Sequence, residues 1–166
     1  MVPGWISHQP RRVFLGLFIV CLGMLGFGLY LQHVVGLNPC PMCIVQRYAL
    51  IAVAVLAVLG SALLSDLLRR AMAALVLGFA GFGAFVAARQ TWLQWYPPEV
   101  VSCGRDFYGM IENFPIGRAI PMIFRGNGDC SQVDWVFLGL SLANWSFISF
   151  ILIALLGWTL MTSRRR

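Results

Sequence analysis

Four apolar runs, at about 13–31, 44–64, 71–88 and 143–161, constrain this chain more than any other feature of it. Each approaches the twenty or so residues that a helix needs to cross the hydrocarbon core of a bilayer, where backbone N–H and C=O groups must be paired within the segment. None of the four contains an acidic residue, and the chain as a whole is 60% hydrophobic and only 11% charged. The expectation is an all-α membrane protein: a single integral membrane domain over residues 1–166, built as a four-transmembrane-helix bundle. Glycines in the first and third runs, Gly23, Gly26 and Gly28 and then Gly78, Gly81 and Gly83, are expected to allow close helix packing.

Charge placement sets the orientation. The formal net charge of +6 comes from arginine alone, and most arginines sit at the edges of the apolar runs. Nucleic-acid binding is not implied, because that would call for a basic stripe interleaved with aromatics on a polar surface. The partner of the excess charge is the lipid headgroup region. An even number of spans puts both termini on one side, and Arg11, Arg12, Arg69, Arg70 and Arg164 to Arg166 mark that side as cytoplasmic. The first run outlasts a signal peptide and is expected to be retained. Two loops then face outward, a short one at about 32–43 and a long, net acidic one at about 91–142. In the long loop, Phe114-Pro115-Ile116 and Ile120 to Phe124 supply apolar surface. Two arrangements of it are open: a short interfacial helix lying in the bilayer surface, or a loop folded onto the helix ends.

Four of the five cysteines fall on that outer side, Cys40 and Cys43 in the first loop and Cys103 and Cys130 in the second. An exported compartment favours disulfides. One bond per loop is the simplest pairing, although four thiols allow three connectivities. The fifth, Cys21, lies inside the first run among Val20, Leu22, Gly23 and Met24 and reads as a small buried hydrophobe. Pro41 suits the first turn of a helix, which makes Cys40 the N-cap and puts Cys43 in the first turn, where the positive helix end favours a thiolate. Arg47 follows Cys43 by one helical turn and can share its face.

Four chemistries compete for these thiols. A tetrahedral zinc site is disfavoured, because Cys103 and Cys130 are far apart in sequence and the outer loops offer only His33 as a further ligand; no metal is expected. Haem attachment is excluded by Ile44 following Cys43 where a histidine is required. Structural disulfides suit Cys103 and Cys130, whose closure would stabilise the chain by roughly 3–4 kcal/mol. Closing Cys40 to Cys43 constrains the chain far less, and a pair at a helix start beside an arginine points to redox exchange. Electrons from such thiols need an acceptor. With no dinucleotide-binding glycine fingerprint and no histidine pair for haem, a lipid-soluble quinone is the simple choice. Arg47 is then a candidate for a quinone carbonyl, the competing reading being an arginine that reaches to headgroups.

Gln32-His33, Pro39-Cys40-Pro41-Met42-Cys43, Arg47, Thr91 to Pro97 before Cys103, and Gly128-Asp129-Cys130 leading to Trp135 and Phe137 to Leu140 together resemble the bacterial disulfide bond formation protein B (DsbB) family over nearly the whole chain. The resemblance implies an inner-membrane protein-disulfide:quinone oxidoreductase that uses ubiquinone or menaquinone to reoxidise a periplasmic thioredoxin-like dithiol oxidase of DsbA type. It implies that Cys103 and Cys130 form the disulfide that meets the partner, that Cys130 then attacks the Cys40–Cys43 disulfide, and that Cys43 passes electrons to quinone. Arg47 is the implied quinone-binding residue, Gln94 a second, and Gln32 and His33 further candidates. Gln90 departs from the pattern, standing where a member of the family has histidine. Two other readings compete: within redox, a protein of the vitamin K epoxide reductase kind, in which the CxxC usually lies near the end of a late helix; and, in a different class, a small membrane transporter or assembly factor with structural disulfides, which would call for intramembrane carboxylates.

Overall fold

The computed structural model describes residues 9–97, 133 and 135–163. Four long helices dominate: α1 (Pro10–His33), α2 (Pro41–Ala62), α3 (Asp66–Trp95) and α4 (Leu142–Thr162). A two-stranded hairpin, β1 (Val136–Phe137) and β2 (Leu140–Ser141), leads directly into α4. All four helices are long and apolar enough to span a bilayer.

Local chemistry sets where each helix begins and ends. Pro10 opens α1, where its missing N–H costs nothing. At the other end Gly36 adopts a left-handed φ of 81°, which lets the Leu37 amide turn back to the Leu31 carbonyl at 3.1 Å. Helix α2 opens on Pro41, with Cys40 as an extended N-cap. Helix α3 has 30 residues, about 45 Å at 1.5 Å per residue, and so exceeds the bilayer core. It starts and finishes beyond the apolar run 71–88, because Arg89, Gln90, Thr91 and Gln94 interrupt the hydropathy without breaking the helix. Tyr96 before Pro97 stops it, since a residue preceding proline is pushed out of helical geometry. Ser141 caps α4 by accepting from the Asn144 amide at 3.4 Å.

Consecutive helices pack against one another, α1 on α2, α2 on α3 and α3 most extensively on α4, whereas α1 and α4 are not a closely packed pair. The core contains Phe14, Leu17, Cys21, Val53, Ala57, Val76, Ala80 and Phe150. Glycine does shape it, but largely at positions other than the expected ones. A Cβ on Gly60 would lie 2.8 Å from the Phe14 ring, one on Gly83 would overlap the Phe150 ring, and one on Gly157 would press on the α3 backbone at 3.1 Å from Leu77 N. By contrast Gly23, Gly26, Gly78 and Gly81 face open space. Of the six glycines singled out from sequence, Gly83 alone makes such a close approach; Gly28 lies in ordinary contact distance of Arg47. The outward surface carries Ile19, Leu29, Val55, Phe85 and Leu152, among others, as a lipid-facing belt requires.

The hairpin is a feature that sequence reading missed. Val136 pairs with Ser141 and Phe137 with Leu140, so Leu138 and Gly139 form the two-residue turn, both at positive φ (52° and 79°). That is the backbone pattern of a type I′ turn.

Candidate functional site

The first turn of α2 brings the two thiols together. Cys40, as N-cap, accepts at Sγ from the Cys43 amide at 3.3 Å, which satisfies one of the amides that a helix start leaves unpaired. The Cys40 thiol donates to the Cys43 sulfur at 2.8 Å. A modest side-chain rotation closes that separation to the ~2.05 Å of a disulfide. Cys40 is buried and Cys43 half-buried, with Met42, Val86 and Leu93 packed around them.

Two glutamines complete the site, and neither was assigned a role from sequence. Gln90, projecting from α3, places its Nε2 3.3 Å from Cys40 Sγ and 3.3 Å from Cys43 Sγ. Gln46, one turn after Cys43 on α2, donates through Nε2 to Gln90 Oε1 at 2.7 Å. Both are buried. Gln46 had a signal in the sequence, an amide within an apolar run, where a polar side chain is costly and tends to be functional; Gln90, just past the third run, had only its departure from the family pattern.

Arg47 turns inward toward α1. Its guanidinium donates to the Gly28 carbonyl at 3.0 Å and to the Gln32 side-chain oxygen. This geometry favours a positioned cation over one that reaches to headgroups. Gln94 accepts at Oε1 from the Ser141 hydroxyl at 2.6 Å, joining the outer ends of α3 and α4. Gln32 and Gln94 line a small cavity of about 70 Å³ that also touches Cys40, Cys43, Arg47 and Gln90. His33 lies exposed in the last turn of α1 and lines neither this cavity nor the larger one described next. Cys103 and Cys130 lie outside the described residues.

A larger cavity of about 500 Å³ occupies the gap between α1 and α4 at the outer end of the bundle. Its walls are mostly apolar, from Met24, Leu25 and Phe27 on α1 to Trp145 and Phe150 on α4; Cys43, Gln46, Arg47 and Gln90 form a polar group at the redox pair, and Ser146 and Ser149 of α4 also line it. Across its outer side runs a chain of aromatic rings: Phe27 meets Trp135 edge-on at 5.7 Å, Trp135 stacks on Phe137 at 5.8 Å, and Phe137 lies 6.2 Å from Trp145. The Trp145 indole N–H also donates to the Phe137 carbonyl at 3.1 Å. Among the described residues no group of His, Cys, Asp and Glu is arranged to hold a metal ion.

Four membrane-spanning helices carrying a CxxC pair at the start of the second define a multi-pass membrane thiol oxidoreductase. The family model for "Disulfide bond formation protein DsbB" matches residues 10–160, and the chain belongs to that family. It is 63% identical to disulfide bond formation protein B of Albidiferax ferrireducens over 164 residues, covering 99% of this chain and 94% of the relative. It is 66% identical to the Acidovorax sp. (strain JS42) protein of the same name over 152 residues, 92% of this chain and 87% of the relative. With the corresponding protein of Azoarcus sp. (strain BH72) identity is 53% over 167 residues, covering 96% and 97%. The chain is thus an inner-membrane oxidoreductase of disulfide bond formation.

Proposed function

We propose that this protein reoxidises a periplasmic DsbA-type dithiol oxidase and delivers the electrons to membrane quinone through two cysteine pairs. The observation that carries the reading is the position of Cys43, at the wall of an apolar cavity between α1 and α4 and beside Arg47. A volume of about 500 Å³ lies in the range of ligand pockets, and apolar walls with a few polar groups at one end suit a flat, lipid-soluble quinone ring. Arg47 spends part of its five-donor fork on Gly28 and Gln32, and its remaining N–H groups are available to a quinone carbonyl. When bound, the quinone supplies the two-electron acceptor.

The chain's own residues do the rest. In the proposed relay the Cys103–Cys130 disulfide accepts a thiolate of the partner, with Cys103 taking the mixed disulfide. Cys130, released as a thiolate, attacks Cys40 Sγ. A bond forms there, the Cys40–Cys43 bond breaks, and its electron pair leaves on Cys43. The partner's second thiol then resolves its mixed disulfide and releases Cys103, which attacks Cys130 Sγ, re-forms the Cys103–Cys130 bond and expels Cys40 as a thiolate; the Cys40/Cys43 pair, now a dithiol, would pass two electrons and two protons to the acceptor as its own disulfide re-forms. DsbA-type oxidases are themselves the reference case for a strongly oxidising dithiol, at about −120 mV, so an ordinary disulfide near −180 mV would face about 2.8 kcal/mol uphill for two electrons. Two-electron transfer to a quinone acceptor would pull the sequence forward.

The test is quinone reduction by the purified protein with a reduced thioredoxin-like dithiol as donor. Loss of turnover in both Cys43→Ser and Cys103→Ser is the expected result. Full activity in both would return the cysteines to a structural role.

A further inference from the structure

Gln46 and Gln90 reach each other from different helices, and the geometry between them is more specific than packing requires. Gln46 is 6% exposed and Gln90 5%, so their amide groups need partners inside the protein. A glutamine side chain has a donor end and an acceptor end, and which end points where is decided by the surrounding bonds. Here Gln46 Nε2 donates to Gln90 Oε1 at 2.7 Å. With its oxygen engaged by Gln46, and 3.8 Å from the Cys43 thiol that can donate to it, Gln90 places Nε2 3.3 Å from each of the two sulfurs.

We propose that Gln90 is a catalytic residue that donates to the sulfur left as a thiolate when the Cys40–Cys43 bond opens, and that Gln46 is the positioning residue that fixes its donor end toward the sulfurs. The proposal rests on the relay described above. When an incoming thiolate bonds to Cys40 Sγ, the electron pair of the broken bond stays on Cys43 Sγ, and Gln90 Nε2 is already within hydrogen-bonding distance. Before the exchange the same nitrogen faces Cys40 equally, so charge on either sulfur finds a donor without rearrangement. A preorganised donor aimed at the place where charge develops lowers the barrier to forming it.

The donor is neutral, and that suits its depth. A second cation beside Arg47 would carry a large desolvation cost in a mostly apolar cavity, whereas a pair of mutually satisfied amides carries little. An amide also does not titrate, so its contribution is the same at every pH at which the protein works.

The test uses the full-length chain in lipid nanodiscs, with Cys103→Ser and Cys130→Ser introduced so that the Cys40/Cys43 pair is isolated. The reduced protein is alkylated with iodoacetamide from pH 5 to 10, and the rate at Cys43 is followed by fragment mass spectrometry. Gln90→Met keeps the length of the side chain and removes both donors. It is expected to slow alkylation of Cys43 at pH 7 about tenfold and to move the midpoint of the pH profile up by about one unit, as loss of a hydrogen bond to a charged group implies. Gln46→Met leaves Gln90 in place but frees its amide to rotate, and a several-fold loss in the same direction is expected. A Cys43 profile that superimposes on that of the parent in either variant overturns the proposal. If Gln90→Met does not fold, Gln46→Met decides alone by the same criterion. Alkylation involves neither quinone nor partner, so an unchanged profile rejects the amide pair, while a wild-type protein unable to reduce quinone rejects the relay.

Discussion

The guanidinium of Arg47 on α2 donates to the Gly28 carbonyl on α1 across 3.0 Å, so the cation beside the redox pair is tethered to the helix on the far side of the cavity. Lysine cannot reproduce this. Its ammonium is a point charge without the planar fork that serves Gly28 and Gln32 together. Arg47→Lys is expected to raise the KM for quinone about tenfold with a smaller effect on kcat, the loss of one charge-assisted hydrogen bond being about 1.5–3 kcal/mol. Quinone titrations at a saturating dithiol donor measure it, and an unchanged KM would show that the tether does not position the cation for the acceptor.

Gly83 and Gly81 lie on one helix but face opposite environments, which makes them a matched pair. A methyl at Gly83 would overlap the Phe150 ring, whereas one at Gly81 meets nothing. Gly83→Ala is expected to destabilise by about 1–3 kcal/mol through overpacking. Gly81→Ala should be neutral or stabilising by up to about 1 kcal/mol, because alanine gives up less backbone freedom on entering a helix. Thermal unfolding of the two variants in one detergent reads the difference.

Ser141 serves two elements with one hydroxyl, donating to Gln94 at the end of α3 and accepting from the Asn144 amide at the start of α4. Ser141→Ala removes both and is expected to cost about 1–2 kcal/mol of stability. Amide exchange should rise selectively in the first turn of α4. Uniform exchange across that turn in mutant and wild type would mean that the cap is carried by other groups.

Cys21 is fully buried in the core between Phe14, Leu17 and their neighbours and is absent from the linings of both cavities at the redox pair. Cys21→Ala should leave quinone reduction at the wild-type rate, and Cys21 of the folded protein should resist thiol reagents that modify Cys43. A loss of turnover without loss of folded protein would give Cys21 a part in the electron path.

The redox pair was legible in the sequence because its geometry is local. Pro41 at the first helical position and Cys40 before it determine where α2 starts, and that start brings both sulfurs together within a single turn. The four spans were legible for a similar reason, since bilayer thickness imposes a length that hydropathy reveals. The amide pair was not, because Gln46 and Gln90 come from different helices and only the packing of α3 on α2 brings them together. The full length of α3 was not legible, because the helix continues past the apolar run 71–88 through Arg89, Gln90 and Thr91, where hydropathy falls. Leu138-Gly139 gave no hairpin signal, since leucine is not a residue that ordinarily takes a left-handed turn position. The glycines misled because a residue count cannot tell a face turned to lipid from one turned to a neighbouring helix; only the rings of Phe14 and Phe150 and the α3 backbone at Ala73 and Leu77 identify which glycines are sockets.

Because α1 and α4 do not close on each other, the bundle is a ring with a seam, and the seam lies where the 500 Å³ cavity is found. A protein joined all the way round would force any oily reactant to arrive from water, where it is scarcely soluble. At that gap Cys43 lies in the wall of a mostly apolar cavity. In the proposed relay two kinds of traffic meet at this one cysteine pair, proteins from the aqueous side and carriers from the hydrocarbon.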